Sequence, residues 1–284
     1  MDVAVNRWWL VSGPDGTVRF YKNPRALSLG YGVSSDLLGA TFVGEGDPFA
    51  EQNALVSKML GRDVKLFVPM QADLTGQDSA SCSWNVHVPE GFVGYMWAAH
   101  AEGPFVQTIG DIPYVDDWRW AHAIREVADA RQGSKEVPVS LVRANPEFEV
   151  DMSLLASNSR FYALDWAAYE QVMSELSQHQ AHVEEFAGNR VALSYEAQED
   201  GVLLVSLPAE PGWSVEVNGR AVEPGKTYDG AMMLVPVSRG QNQIRLSFFT
   251  PGLLPSAAVS LVTLVGCLLV AGIGRRRKES AASG

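Results

Sequence analysis

The chain has 284 residues, of which 46% are hydrophobic and 19% charged, and its formal net charge at pH 7 is -11. An acidic surface repels nucleic acid and anionic lipid headgroups, so this balance argues against a nucleic-acid-binding protein. Of the two cysteines, Cys267 falls in an apolar C-terminal run, which leaves Cys82 without a partner and excludes a disulfide scaffold.

Residues 1–62 predict a short N-terminal α/β segment. Two β-rich runs flank Pro14-Asp15-Gly16, which is a turn sequence, so the chain should open with a hairpin. Asp47 to Leu60 then shows the helical spacing of apolar residues, with an acidic cap at its start and Gly61 at its end. We therefore expect one short amphipathic helix here.

Residues 63–160 favour strands and predict a β-sandwich-like domain. The apolar runs are short, often alternate in polarity, and are separated by Gly, Pro or Asp, as in antiparallel sandwiches and jelly rolls. One long connection, Asp116 to Arg131, is interpreted as a helix. The strand-like runs are Lys65 to Met70, Ser83 to Val88, Val93 to Ala99, Phe105 to Ile109, Val137 to Val142 and Phe148 to Ser153.

Residues 161–250 predict a helix followed by an antiparallel β domain. Asp165 to Gln180 carries apolar residues at i, i+3 and i+4 spacing, which indicates a second amphipathic helix. Strand-like runs follow from Arg190 to Phe249. Between two of them, Asn218-Gly219 supplies the positive φ angles that a type I′ hairpin turn requires.

A long apolar run lies near the C-terminus. Leu253 to Ile273 contains no charged residue and is followed by Arg275-Arg276-Arg277-Lys278. About 20 uncharged residues cross a bilayer core as a helix, and a basic flank marks the cytoplasmic side. We therefore predict one transmembrane helix at 251–274, a cytoplasmic tail at 275–284, and an extracytoplasmic location at the cell membrane for the rest. A buried core helix is the alternative, but four consecutive cations argue against it.

Together these elements predict a mainly β protein with some α structure (α+β). It should contain antiparallel β-sandwich or jelly-roll-like units, two amphipathic helices and one C-terminal transmembrane helix. Met1 to Arg19 lacks the basic start and apolar core of a secretory signal. Since an external domain must be exported, we interpret the chain as the C-terminal part of a longer, polytopic membrane protein.

Four segments stand out when they are taken together in chain order. They are Tyr21 to Tyr31 with its Asn23-Pro24 pair, Asp47 to Leu55, Val202 to Arg220 with its Gly212-Trp213 pair, and Gln243 to Pro251 before the apolar run. In this order they resemble the bacterial YfhO family of multi-spanning membrane proteins, although Ser28 stands where that family usually has proline.

The resemblance implies a glycosyltransferase of the GT-C type. Such an enzyme takes a sugar from a polyprenyl-phosphate carrier outside the membrane and adds it to a cell-envelope polymer such as a teichoic acid. Its catalytic carboxylate lies in the first external loop, which has no counterpart here. The sequence therefore assigns no catalytic, cofactor-binding or metal-binding residue, and we expect the chain to be inactive alone and to need the upstream transmembrane half. The alternative is a non-catalytic, membrane-anchored surface module that binds envelope glycan or a partner membrane protein.

Six side chains are candidates for glycan contact. Aromatic faces stack on sugar C–H surfaces while carboxylates accept hydroxyl protons, and ordinary loop anchoring or backbone capping is the alternative in each case. The candidates are Asp116, Asp117, Trp118 and Trp120 in the long connection, and Gln52 and Asn53 on the first helix.

A metal site is the weaker interpretation of the two histidines near the second helix. His179 and His182 lie three residues apart, a spacing that zinc ligands also show. Only Glu175, Glu184 and Glu185 lie near them, so we favour a solvated helix end. No phosphate-binding glycine loop or Cys/His zinc spacing occurs, and no cofactor is predicted.

Overall fold

The computed structural model describes residues 8–12, 18–42, 46–98, 105–116, 124–145, 147 and 150–282. Within these residues most of the chain forms antiparallel sheets, accompanied by four α-helices. The expected α+β class is therefore confirmed.

The described elements alternate between strands and a few helices along the chain. The first half contains β1 (Trp8–Ser12), β2 (Val18–Lys22), β3 (Gly30–Val33), α1 (Pro48–Leu60), β4 (Phe67–Pro69), β5 (Ala72–Gln77), β6 (Ser81–Val88), β7 (Phe92–Ala98), β8 (Phe105–Ile109), β9 (Ile112–Asp116), β10 (Arg125–Asp129), β11 (Lys135–Arg143) and α2 (Met152–Asn158). The second half contains β12 (Ser159–Asp165), α3 (Trp166–Ser177), β13 (His182–Ala187), β14 (Arg190–Ala197), β15 (Gly201–Val205), β16 (Trp213–Val217), β17 (Arg220–Val222), β18 (Gly225–Thr227), β19 (Met232–Val237), β20 (Gly240–Phe248) and α4 (Leu253–Ala282).

A first sandwich is built from two sheets with strand orders β10-β7-β12-β4 and β5-β6-β11-β8-β9. Its core contains Trp84 of β6, Met96 of β7, Leu141 of β11 and Phe161 of β12, all buried. The rings of Trp84 and Phe161 meet edge to face at 5.4 Å between centroids. Alternate residues of these strands point to this core, so packing across the two sheets holds the sandwich together.

A second sandwich is built from sheets with orders β13-β14-β20-β16-β17 and β18-β19-β15-β3. Leu193, Leu203, Val235 and Ile244 lie in its core and are shielded from solvent. Strand β3, from the predicted segment 1–62, pairs with β15 and so forms one edge of this sandwich. Strands β1 and β2 pair separately as a two-stranded ribbon, as expected, while the turn between them lies outside the described residues.

Helices α1 and α3 form a central layer between the two sandwiches. Phe49 of α1 and Leu176 of α3 share one buried cluster with Leu164 of the first sandwich and Leu204 of the second. The sheet containing β15 is thus covered on both faces, which explains the uninterrupted apolar run at 202–205.

Local signals account for both central helices. Asp47 accepts hydrogen bonds from Phe49 and Ala50 at the start of α1, and Gly61 ends that helix in the left-handed conformation with φ 63°. Asp165 caps α3 in the same way through the amide of Ala168. The two predicted amphipathic helices are therefore confirmed.

Two local predictions are wrong. Arg125–Asp129, expected to be helical, pairs with β7 as an edge strand of the first sandwich. Residues 152–158, expected partly as strand, form α2, which Asp151 caps through the amides of Ser153 and Leu154. In both cases the contacts made in the folded protein override the local pattern.

Helix α4 leaves the second sandwich through a short turn after β20. In the part of the chain that the structure describes, no helix has the length and hydropathy needed to cross a membrane. The side chains described in α4 end at Leu269. The predicted span at 251–274 is therefore unsupported by the described residues, and the division of the chain into domains also stays a prediction.

Candidate functional site

The candidate sugar-binding residues of the long connection are placed only in part. Asp116 is the last residue of β9, an edge strand of the first sandwich, where its backbone pairs with Phe105. Asp117, Trp118 and Trp120 lie outside the described residues. A glycan contact by this group therefore stays a prediction.

Gln52 and Asn53 have different surroundings although they are neighbours on α1. The Asn53 side-chain amide donates to the Phe67 carbonyl at 2.7 Å, and its oxygen accepts from the amides of Leu66 and Phe67, both at 2.9 Å. Asn53 thus pairs with the edge strand β4 much as another strand would. Gln52 is exposed. Both residues lie in the central layer, whereas Asp116 lies in the outer sheet of the first sandwich.

The two histidines near α3 separate in the fold. The His179 carbonyl accepts from the Gly32 amide at 2.8 Å, and His182 begins β13 with an exposed side chain. Among the described residues, no group of three or more His, Cys, Asp or Glu side chains is placed to hold a metal ion.

The structure reveals a cleft that the sequence did not predict, here called the Tyr195 cleft. It lies where the central layer meets the second sandwich and has a volume of about 720 Å³. Its walls are the C-terminal ends of α1 and α3, strand β3, and the turn between β14 and β15.

Tyr195 supplies the most distinctive group in this cleft. Its side chain is packed in the core of the second sandwich and is only 7% exposed. Among the described residues its hydroxyl has no hydrogen-bond partner, and burial raises the pKa of Tyr195 above its usual value. A Cβ atom at position 32 would lie 2.2 Å from this hydroxyl, so Gly32 provides the space that the hydroxyl occupies.

The electrostatic character of the cleft is acidic. Its lining includes Glu175, Glu199 and Asp200, and no lysine or arginine occurs among the described lining residues. Glu175 is paired with Arg62 at 2.7 Å. Because α1 and α3 both end here, their partial negative charges add to the carboxylates. The arrangement favours cationic groups and donors of hydrogen bonds.

A second notable arrangement fixes the root of α4. Gly212 has φ 114°, and a Cβ atom there would lie 2.5 Å from the Phe249 carbonyl oxygen. The Phe249 amide donates to the Gly212 carbonyl at 2.9 Å, while the Trp213 and Phe248 rings lie 5.1 Å apart. The Gly212-Trp213 pair therefore packs against the chain segment that leads into α4.

The segment around Asn23-Pro24 is held on α3 by stacked cations. Arg25 forms an ion pair with Glu170, and its guanidinium lies 5.0 Å from the Trp166 ring centroid. Arg131 of the first sandwich lies 4.2 Å from the same ring. Trp166 thereby links three parts of the chain, which is a structural role.

Comparison with known proteins finds similarity to a family over part of the chain. Residues 134–260 match the family described as bacterial membrane protein YfhO. A relative from Bacillus subtilis (strain 168), named uncharacterized protein YfhO, is 32% identical over 77 residues. That match covers 27% of this chain and 9% of the relative, so the two proteins are matched over a small part of the relative's length.

A solved structure, quercetin 2,3-dioxygenase from Acinetobacter baumannii, aligns with 63% of this chain and 77% of its own. Its sequence identity is 10% and its TM-score is 0.14, which is too low to indicate a shared fold.

Replacing Asn53 should weaken the fold much more than replacing its neighbour. Asn53→Ala removes three hydrogen bonds and leaves β4 backbone groups unpaired, so we expect a loss of about 3 kcal/mol in the free energy of unfolding. Gln52→Ala, at an exposed position, should change it by less than about 0.5 kcal/mol. Urea unfolding followed by tryptophan fluorescence measures both, and equal midpoints would contradict the structural role of Asn53.

Replacing Gly212 tests the close packing at the root of α4. Gly212→Ala introduces both an unfavourable φ and a clash with the Phe249 carbonyl, whereas Gly188→Ala has φ 55° and no atom within 4 Å of the new Cβ. We expect Gly188→Ala to cost about 1 kcal/mol and Gly212→Ala at least about 2 kcal/mol. Thermal unfolding compares the two variants. Equal losses would show that the backbone around Phe249 moves aside freely.

Proposed function

We propose that this chain belongs to the bacterial YfhO membrane-protein family, which residues 134–260 match, and that it is the extracytoplasmic C-terminal module of a YfhO-like glycosyltransferase. The enzyme would transfer a sugar from a polyprenyl-phosphate carrier to a cell-envelope polymer of the teichoic-acid type. Sugar transfer itself is assigned to a membrane-embedded part of the enzyme, supplied in cis or by a separate chain.

One observation carries this proposal: the family-like segments pack together and converge on the helix that would enter the membrane. Strand β3 pairs with β15, and Gly212 packs against Phe249 directly before α4. The matched residues run from the first sandwich through α3 and the second sandwich into α4. These contacts support the interpretation that the family-like segments belong to one folded unit attached to one helix.

The exposed apolar surface of α4 supports its place in lipid. Leu254, Val262 and Leu268 are 68%, 71% and 64% exposed, so they do not pack on the folded body. Leaving such side chains in water costs about 25 cal/mol per Å² of apolar surface, and a lipid environment removes that cost. We place α4 in the cell membrane, with Arg275-Arg276-Arg277-Lys278 on the cytoplasmic side as its charge pattern favours.

The two native cysteines report directly on the environment of α4. Cys82 is fully buried, and burial together with the nearby Asp78 charge raises its pKa to about 12, so its reactive thiolate is scarce at pH 7.5. Cys267 lies on α4. In lipid vesicles we expect a water-soluble maleimide to label neither thiol, and an apolar maleimide to label Cys267 alone. Mass spectrometry identifies the labelled peptide.

Two controls complete that experiment. Cys267→Ser should abolish the apolar labelling, and unfolding in urea should expose Cys82. Rapid labelling of Cys267 by the water-soluble reagent in intact vesicles would place α4 in water and overturn its assignment to the membrane.

The enzymatic proposal is tested by reconstitution. We expect the chain alone to transfer no sugar from a polyprenyl-phosphate donor. A YfhO-family membrane protein deprived of its C-terminal region should regain transfer when this chain is supplied, measured as radiolabelled sugar incorporated into envelope polymer. Transfer by the chain alone, or no recovery with a folded chain present, would overturn the proposal.

A second candidate is a non-catalytic surface module that binds envelope glycan or a partner membrane protein. The Tyr195 cleft favours it, because the cleft offers polar binding groups at the junction of the central layer and the second sandwich. Glycan binding by the chain without any recovery of transfer in the reconstitution would favour this candidate.

A further inference from the structure

We propose that the Tyr195 cleft binds an amino sugar, with a sugar hydroxyl bonded to Tyr195 and the sugar's ammonium group near the acidic wall. The inference deepens the proposed function, since it rests on that function for the role of this sugar as a unit of the envelope polymer. Binding itself requires no sugar transfer and can be measured independently.

The first argument is the state of the Tyr195 hydroxyl. A tyrosine whose ring is buried usually has a hydrogen-bond partner for its hydroxyl. The Tyr195 side chain is 7% exposed, and its hydroxyl lines the cleft without a hydrogen-bond partner among the described residues. A phenol both donates and accepts, as a sugar hydroxyl does, so a bound sugar would satisfy it.

The second argument is that the fold makes room for this hydroxyl. Any side chain at position 32 would collide with it, because the Cβ position lies 2.2 Å away. The Gly32 amide is also fixed by the His179 carbonyl at 2.8 Å. The notch is therefore held by backbone contacts and does not depend on a flexible side chain.

The third argument is charge. Glu199 and Asp200 lie on the β14–β15 turn at the cleft, and the Asp200 carboxylate is oriented by the Arg239 amide at 2.7 Å. Glu175 is already neutralised by Arg62. The remaining two carboxylates and the two helix ends attract an ammonium group and repel anionic sugars.

The fourth argument is size. Sites for small molecules are commonly about 300–1,000 Å³, and the cleft has about 720 Å³. This volume accommodates one or two sugar units, and the open side lets a longer chain continue outside. A simple amine would make no hydroxyl hydrogen bond to Tyr195, and a neutral sugar would make no ion pair with the carboxylates. An amino sugar can make both interactions.

The test measures binding to the full chain in lipid nanodiscs by calorimetry. The probes are a glucosamine tetramer, an N-acetylglucosamine tetramer and a galacturonic acid tetramer, which are cationic, neutral and anionic. We expect the glucosamine tetramer to bind most tightly, the neutral tetramer several-fold more weakly, and the anionic tetramer not at all. Raising the salt concentration should weaken the binding of the glucosamine tetramer and leave the binding of the neutral tetramer unchanged.

Tyr195→Phe is the decisive variant. It keeps the ring and removes a hydroxyl that has no partner to lose, so the unfolding temperature should stay within about 1 °C while the glucosamine tetramer binds roughly five- to tenfold more weakly. Tyr228→Phe is the control, because it also removes a tyrosine hydroxyl that is unpaired among the described residues, but one that lies outside the cleft. That control should bind as the unmodified chain does.

The charge contribution has its own variant. Glu199→Gln should weaken the binding of the glucosamine tetramer and leave the binding of the neutral tetramer unchanged. Absence of binding by the glucosamine tetramer, equal binding of all three tetramers, or unchanged binding by Tyr195→Phe would overturn the inference. Binding that depends on Tyr195 while reconstitution yields no transfer would retain the inference and reject the proposed function.

Discussion

The whole arrangement depends on the central layer, in which two helices fill the space between two sandwiches. Phe49 and Leu176 close the apolar faces that the inner sheets turn toward each other. Without those helices, Leu164 and Leu204 would be exposed to water as part of an apolar surface. Soluble proteins rarely expose a large contiguous apolar surface. The two sandwiches and the helices therefore stabilise one another, and the junction between them creates the Tyr195 cleft.

Much of the local structure could be predicted from the sequence because it is set by near neighbours. Asp47 and Gly61 mark the ends of α1 by capping chemistry that acts within a few residues. Asn218-Gly219 makes its turn for the same reason, with φ angles of 53° and 74°. The alternation of polarity in strands such as β6 reports a buried face and an exposed one.

The features that sequence analysis missed are those that depend on distant partners. Arg125–Asp129 is a strand because β7 offers a free edge, which a local pattern does not show. Gly32 is far along the chain from Tyr195 and Asp200 and meets them only in the fold, so nothing local marked the cleft. Asn53 was ambiguous for the opposite reason, since an amide on a helix has the same local signature whether it holds a ligand or a strand.

Asn53 also has a consequence for how the protein behaves among its own copies. An unpaired outer strand offers amides and carbonyls to any extended segment that approaches, and this is a common start of aggregation. The side chain of Asn53 bonds to two of these groups, the amide and carbonyl of Phe67 on β4, and to the amide of Leu66 directly before the strand. A strand from another molecule therefore cannot pair with the inner sheet of the first sandwich at its β4 edge. Such protection limits self-association when many copies crowd together.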